Sequence, residues 1–197
     1  KCFGCSACAN VCPKHAIQMK ENAHGEMFPV IDESRCIDCG LCRKVCPSLQ
    51  PMSLYHPIRS FAAWANQKRT REKAASAGIV SAVSKTILKE GGVVFGTCFK
   101  DSRLVFDYID SIDDLDNFKG SKYIHADVGN TYTIVKKFIE EQREVLFVGT
   151  PCQIAGLRKY LRKDFDNLLT IDLVCHGVSP QKYLYEYIRD YLGIDTF

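Results

Sequence analysis

The strongest constraint on the fold is a cysteine spacing that occurs twice near the start of the chain. Eight of the eleven cysteines lie in two runs of the form C-x2-C-x2-C-x3-C-P, which begin at Cys2 and Cys36. Bacterial ferredoxins with two 4Fe-4S clusters have this spacing, and the fourth cysteine of each run ligates the other cluster. The pattern predicts one cluster held by Cys2, Cys5, Cys8 and Cys46, and a second held by Cys36, Cys39, Cys42 and Cys12.

Two other uses of these cysteines compete with clusters. Zinc sites also contain C-x2-C pairs, but a four-ligand zinc ion would leave the third cysteine of each run unused, whereas two cubes use all eight. Disulfide scaffolds are typical of short secreted chains, and this cysteine distribution does not resemble one. Clusters with free thiolate ligands indicate a reducing cytoplasm and an anaerobic or microaerobic host.

Composition excludes several classes of protein. The 197 residues are 46% hydrophobic and 25% charged, which is typical of a globular protein and not of a disordered one. The net charge of +3 is too small to indicate nucleic-acid binding. No apolar run approaches the length of a membrane helix. We expect a cytoplasmic protein with no nucleic-acid partner and no membrane span, and the first residue, Lys1, indicates a piece of a longer chain.

The segments after the cysteines alternate between strand and helix patterns. We predict an α+β ferredoxin-like domain over residues 1–50 with a hairpin between the motifs, a proline-containing linker over 51–60, and an α/β domain with a mostly parallel sheet over 61–197. The predicted strands are 61–65, 93–99, 104–109, 144–149 and 168–175. The predicted helices are 79–90, 111–118, 131–142, 153–161 and 179–192.

Strand-to-helix junctions are the candidate ligand sites of such a domain. Ligands of open α/β sheets bind beyond the carboxyl ends of strands, where helix N-termini attract anionic groups. The strings VGTPCQIAGL and DLVCHGVSP are junctions of this kind, and Ser76-Ala77-Gly78 opens a third helix with residues small enough for a pyrophosphate. Each junction is also compatible with an ordinary helix cap.

A resemblance covers nearly the whole chain. Together with the two ferredoxin motifs, the strings SAGI, GGVVFG, GSKYIHADVGNTY, LFVGTPCQIAGL and LLTIDLVCHGV resemble the coenzyme F420 hydrogenase/dehydrogenase beta-subunit family. The resemblance implies an iron–sulfur flavoprotein, in which FAD in the α/β part exchanges single electrons with the clusters and electron pairs with an organic substrate. It also implies a C-terminally incomplete chain. One departure is Ala77, where many members have glycine.

The resemblance further implies a flavin site and catalytic groups. Lys122 would balance the charge of a reduced flavin or a phosphate, although a solvated lysine is the simpler interpretation. Cys152 follows Pro151 at a helix N-terminus, which favours the thiolate. His176 would donate protons near neutral pH, although many histidines have structural roles. The predicted cofactor-binding residues are Ser76, Gly78, Gly120, Ser121, Lys122, Thr150, Pro151 and Cys152.

The other notable side chains have simpler interpretations. Cys98 fits a small apolar residue in a buried strand. Cys98, Cys152 and Cys175 are one ligand short of a third cube, unless His176 or an outside ligand joins them. His125 fits a hydrogen-bonded structural residue. A basic stretch, in which a solvated loop is favoured over a site for phosphate or an acidic partner, contains Lys68, Arg69, Arg71 and Lys73.

The sequence thus predicts an oxidoreductase that passes electrons between a low-potential carrier, such as ferredoxin or another redox subunit, and an organic or deazaflavin-type substrate. The cofactors are two 4Fe-4S clusters and FAD. One alternative is an electron-wiring subunit of a larger complex, without its own flavin. A second alternative is a thiol-active redox domain that uses Cys152 or Cys175.

Overall fold

Two short helices and a hairpin form the cysteine-rich head, residues 1–50. The computed structural model describes residues 1–53 and 55–194. Helix α1 is Ala7–Val11 and helix α2 is Leu41–Lys44. Strands β1 (Ile17–Glu21) and β2 (Met27–Ile31) pair antiparallel, with Ile17 opposite Ile31. The structure therefore confirms the predicted hairpin between the cysteine runs.

The chain that leaves the head corrects two predictions. The strand predicted at 61–65 is absent, and the side chains of Phe61 and Trp64 are 79% and 63% exposed. Among the described residues this apolar run has no partner strand, and the Ala65 N–H instead donates to the Ala77 carbonyl oxygen (2.9 Å), farther along the chain. The basic stretch, expected as a loop, forms the short helix α3, Lys68–Glu72.

A four-stranded sheet organises the α/β part, in the spatial order β4-β3-β5-β6. Strands β3, β5 and β6 are parallel, and β4 joins β3 as an antiparallel hairpin. The mostly parallel sheet is therefore confirmed. The strand bounds are Val93–Lys100 (β3), Arg103–Ile109 (β4), Val145–Gly149 (β5) and Leu168–Asp172 (β6).

Helices cover both faces of this sheet. The helix bounds are Ile79–Lys89 (α4), Thr131–Glu140 (α5), Pro151–Leu161 (α6) and Gln181–Leu192 (α7), with 3-10 turns at Ser76–Gly78 and Ile112–Phe118. On one face, α4 and the second 3-10 turn pack over Val94 and Ile109. On the other, α5 and α6 pack over Phe95 and Phe147. Within the described ranges, no helix is long and apolar enough to cross a bilayer.

The two edges of the sheet differ. The outer edge of β4 is closed, because the Phe106 N–H donates to the Asp127 carbonyl oxygen (2.8 Å) and the Gln181 side chain bonds both the N–H and the carbonyl of Leu104 (2.8 and 2.7 Å). In the described part of the chain, the ladder of β6 is formed with β5 alone. Edge strands are normally protected by such coverage or by charge.

Candidate functional site

The head is anchored to the α/β part near its first cysteine run. The Asn10 side chain donates to the Gly129 carbonyl (2.8 Å) and accepts the Thr133 backbone N–H (3.3 Å) in the first turn of α5. The N-cap residue of α5, Asn130, makes no capping bond with its own side chain. Free N–H groups at a helix start need such acceptors, so the head supplies part of the cap of α5.

Helix α6 lies directly against the Cys5 thiol. A methyl group on Gly156 would be 3.2 Å from the Cys5 sulfur and 2.8 Å from the Tyr132 hydroxyl oxygen, so this close approach requires glycine. The fully buried Tyr132 donates its hydroxyl to the Gln153 carbonyl (2.8 Å) in α6. The contacts of Tyr132 and Gly156 with the head were not predicted from the sequence. The available signal was a glycine inside a helix, where it costs stability.

Four head thiols interact electrostatically. Burial raises the pKa of the Cys5 thiol to about 11, and negative charge at Cys152, Cys46 and Cys2 adds to the rise. Burial raises the pKa of Cys8 to about 12, with contributions from Cys5, Cys2 and Cys46. The four predicted ligands of the first cluster are therefore close together. Metal ligation would favour their thiolate forms.

The predicted ligands of the second cluster have a different environment. Cys36 and Cys39 are exposed, and Cys12 and Cys42 are half-buried. The Ala16 N–H donates to the Cys12 sulfur (3.3 Å), which is the kind of bond that influences cluster potentials. Among the described residues, no three His, Cys, Asp or Glu side chains converge on one metal ion. A cube distributes its thiolates over four irons, and both ligand sets stay predictions.

A cavity opens on the face of the sheet away from the head. Its volume is about 540 Å³, and it lies beside the carboxyl end of β3, within the ~300–1,000 Å³ range of ligand pockets. Phe118 contributes an aromatic wall. A methyl group on Gly96 would be 2.9 Å from the Phe118 ring, so this glycine lets the ring lie against β3.

Lys122 gives this cavity an unpaired positive charge. Its Nζ donates to the Lys119 and Gly120 carbonyl oxygens (3.0 and 3.3 Å), and burial lowers its pKa. No carboxylate within the described residues forms an ion pair with it. The other two lysines of the cavity do form ion pairs, Lys100 with Asp107 and Lys119 with Asp116. An anionic ligand near Lys122 would favour its charged form.

The predicted flavin residues fall into three groups. Gly120, Ser121 and Lys122 line the cavity. Ser76 and Gly78 belong to the turn before α4 and do not line it. A methyl group on Gly78 would be 3.2 Å from Ala65 and Thr70, and its φ of +77° favours glycine. The structure therefore gives Gly78 a packing role.

The third group, Thr150, Pro151 and Cys152, begins α6 and also lies outside the cavity lining. The Thr150 N–H donates to the Gln153 side-chain oxygen (2.9 Å), and the Thr150 hydroxyl is 3.2 Å from the Cys152 sulfur. Thr150 therefore helps to cap α6. Cys152 interacts electrostatically with Cys5, so its closest relation is to the first cysteine run.

The loop after β6 contains Cys175 and His176. The Gly177 N–H donates to the sulfur of Cys175 (3.3 Å), which is half-buried, and His176 is exposed. The His125 N–H donates to the Ser179 carbonyl (2.8 Å), which places this loop beside the segment after Lys122. Within the described ranges, no hydrogen bond joins His176 to Lys122 or Cys152. Their catalytic roles stay predictions.

Two remaining side chains are better defined by the structure. The His125 Nε2 is buried and unbonded in the described part of the chain, and a methyl group on Gly4 would be 2.8 Å from it. Burial lowers the pKa of His125, while a hydrogen bond with the Phe3 backbone opposes this change. Cys98 is buried in β3, as expected, and it also lines the cavity.

Comparison with family models gives three matches. Residues 1–49 match a 4Fe-4S dicluster domain, which supports two clusters. Residues 60–131 match the N-terminal domain of the coenzyme F420 hydrogenase/dehydrogenase beta subunit, and residues 142–197 match its C terminus. The first match covers the head, and the other two cover most of the α/β part.

Individual relatives have related names. The coenzyme F420-dependent sulfite reductase of Methanocaldococcus jannaschii is 30% identical over 165 residues, which are 80% of this chain and 25% of that protein. A polyferredoxin-like protein of the same organism is 34% identical over 65 residues, 29% of this chain and 39% of its own length. This chain therefore spans about a quarter of the length of the first relative and two fifths of the second.

A solved structure has a similar fold. A chain of the F420-reducing NiFe hydrogenase complex from Methanosarcina barkeri superposes with a TM-score of 0.53 and 18% identity, over 66% of this chain and 48% of that one. At this level of identity the similarity concerns the fold.

Proposed function

We propose that this chain, which belongs to the coenzyme F420 hydrogenase/dehydrogenase beta-subunit family, is the iron–sulfur and flavin-binding part of a cytoplasmic oxidoreductase. Electrons would pass between a low-potential carrier, such as a ferredoxin, and an organic or deazaflavin-type substrate. The observation that carries the flavin proposal is the cavity beside β3, with its unpaired Lys122 ammonium. The names of the relatives support redox chemistry as the class of reaction.

The residues around this cavity fit FAD. The Phe118 ring offers apolar surface to a flat ring, and Lys122 offers a half-buried charge to a phosphate or an anionic ring. Gly120 has a φ of +82° and nothing within 4 Å of its missing methyl group, which leaves room for close approach to the backbone. When bound, FAD would supply the exchange between single electrons and electron pairs.

The protein groups around the cavity would position the flavin and stabilise its negative charge. Lys122 is held over the cavity by the Lys119 and Gly120 carbonyls, so its ammonium can balance negative charge without a conformational search. The Phe118 ring would help to exclude water from the reacting ring. Cys152 lies away from the cavity, in the first turn of α6 after β5, where it interacts electrostatically with the Cys5 thiol. His176 remains the candidate proton donor.

The separation of the candidates favours a second function. Because Cys152 interacts with Cys5 of the first cysteine run, and neither Cys152 nor Thr150 lines the cavity, the α/β part also fits a docking domain that connects the clusters to another subunit without holding flavin itself. In the thiol-active alternative, Cys152 or Cys175 itself would carry the redox chemistry. Alkylation of these thiols would then abolish turnover while the clusters stay intact.

The decisive experiment is anaerobic purification of the full-length protein, with iron, sulfide and released flavin measured together. About eight irons per chain with stoichiometric FAD is the expected result. Lys122→Ala should lower the FAD affinity about tenfold, whereas Lys137→Ala, at an exposed site on α5, should not change it. Eight irons without FAD uptake, even from excess FAD, would support the wiring subunit and exclude the flavoprotein.

A further inference from the structure

The two cysteine loops share a backbone conformation. In the first loop Gly4 and Ser6 have φ values of +67° and +60°, and in the second Asp38 and Gly40 have φ values of +47° and +69°. Each loop then enters a short helix, α1 or α2. The two loops thus occupy corresponding positions in the head, and differences between them report on their surroundings.

Their surroundings are opposite. Residues 4–7 of the first loop are buried: His125 packs on Gly4, and Gly156 packs on Cys5. Residues 31–39, which lead into and form the second loop, are all exposed. In the described part of the chain, no hydrogen bond or ion pair joins residues 32–44 to the α/β part. One loop faces inward and the other faces solvent.

The exposed loop is followed by two exposed positive side chains and has further cations nearby. Arg43 and Lys44 end α2 and are exposed, and neither has a carboxylate partner within the described ranges. Arg35 donates to the Lys14 carbonyl (2.9 Å), which adds two more cations. The carboxylates on this side are Asp32, Glu33 and Asp38; the Ser34 hydroxyl donates to Asp32, and the pKa of this carboxyl is lowered by that bond and by the nearby charge of Arg35. Between Cys36 and Asp38, the apolar side chain of Ile37 is 57% exposed.

We propose that this outer face, formed by Cys36, Ile37, Cys39, Arg43 and Lys44, docks a small acidic one-electron carrier protein, and that electrons enter or leave the chain there. The proposal rests on the proposed redox function but not on the flavin. In the reducing direction, each encounter oxidises the carrier by one electron and reduces the chain by one, and no covalent bond changes.

Three physical reasons support this occupant. Electron tunnelling weakens steeply with distance, so the carrier must approach a cluster closely, and only the second loop is open to it. Transient redox complexes use small interfaces, and an apolar centre with a charged rim suits them. Unpaired cations would attract an acidic carrier and orient it before contact. The first loop, which is buried against α6, would then hold the inner of the two clusters.

The test uses the cluster-loaded full-length protein and a purified acidic clostridial-type ferredoxin as the probe. Arg43→Glu/Lys44→Glu should weaken ferredoxin binding about tenfold or more in low-salt calorimetry. The control, Lys136→Glu/Lys137→Glu, changes the net charge equally on exposed α5 positions and should have little effect. Equal weakening by both variants, or by neither, would overturn the proposal, as would absence of binding to the unmodified protein.

A second measurement keeps the test independent of variant folding, since Arg43 and Lys44 lie between two predicted ligands. Zero-length carbodiimide cross-linking of the unmodified protein to the ferredoxin, followed by mass spectrometry, should join ferredoxin carboxylates to Lys44 or Lys14. Cross-links confined to α/β lysines, such as Lys100 or Lys159, would overturn the proposal. Flavin content enters neither readout, so failure here is distinct from failure of the flavin assignment.

Discussion

The two faces of the central sheet are built by the same strands and do different things. On the head side, Phe106 and Phe147 stack with ring centroids 5.1 Å apart, and Tyr132 and α6 continue this packing to the Cys5 thiol. On the other side, Phe118 lies over Gly96 beside an open cavity with three lysines. Alternation along β3 assigns each residue to one of these faces.

The packed face is suited to structural support, and the open face is suited to ligand binding. Close packing fixes distances, which suits a cysteine loop whose position relative to the α/β part must stay constant. An open cavity with an unpaired cation is typical of a ligand site. If this comparison is correct, substitutions on the packed face should affect stability most, and those on the open face should affect binding most.

The largest expected difference in stability is between alanine substitutions at two phenylalanines. Phe147→Ala removes a fully buried ring and should lower the free energy of unfolding by about 3–5 kcal/mol. Phe118→Ala, at the half-buried ring over the cavity, should cost clearly less, because its site is already partly open. Chemical denaturation of the cluster-loaded protein measures both. Equal losses would mean that the two faces are equally packed.

A second pair compares two glycines. Gly156→Ala places a methyl group against the buried side chains of Tyr132 and Cys5. The substitution should lower the free energy of unfolding by about 1–3 kcal/mol. It should also shift the EPR signature of the first cluster. The methyl group added by Gly96→Ala meets the Phe118 ring first, and this ring can move into the cavity, so a smaller loss of stability and an unchanged EPR spectrum are expected. The reverse order would contradict the assignment of the rigid face.

Asn10→Ala tests the connection between the head and α5. The substitution removes the bonds to Gly129 and Thr133 and should cost about 1 kcal/mol, as other N-cap losses do. Hydrogen exchange should show faster opening in the first turn of α5. Asn22→Ala, whose bonds lie within the hairpin turn, is the control and should leave exchange in α5 unchanged.

The smallest stability effect is expected at the open face. Lys122→Met should change the free energy of unfolding at pH 7 by less than about 0.5 kcal/mol. Burial lowers the pKa of Lys122, so the folded state binds fewer protons than the unfolded state just below the ordinary lysine pKa of about 10.4. The stability of the unmodified protein should therefore rise with pH in that window, relative to Lys122→Met. No difference in slope would contradict the burial of this ammonium.

Sequence patterns predicted the local elements well. The hairpin of the head, α4, the β3–β4 pair and α5 follow from periodicity and turn residues, which act over a few positions. The strand predicted at 61–65 is wrong because strand formation needs a partner, and an apolar run cannot reveal whether one is present. Helix α3 was missed because its polar residues show no apolar periodicity.

Relations between distant segments could not be predicted in the same way. The sequence grouped Cys152 with Lys122 in one flavin site, but the structure places Cys152 beside Cys5 and Lys122 in the cavity. The head contacts the α/β part through close shape complementarity, and the only sign of this in the sequence is a glycine at 4 and another at 156. The role of such a glycine can be inferred only when the surface that contacts it is known.

The unequal edges of the sheet have a consequence for assembly. The Asp127 backbone and the Gln181 side chain already occupy the outer hydrogen-bonding groups at the start of β4, while the described part of β6 pairs on one side only. A neighbouring segment or subunit would find these groups at the start of β4 already bonded, whereas β6 offers an unpaired edge within the described residues. An added strand is therefore expected beside β6 rather than beside the start of β4.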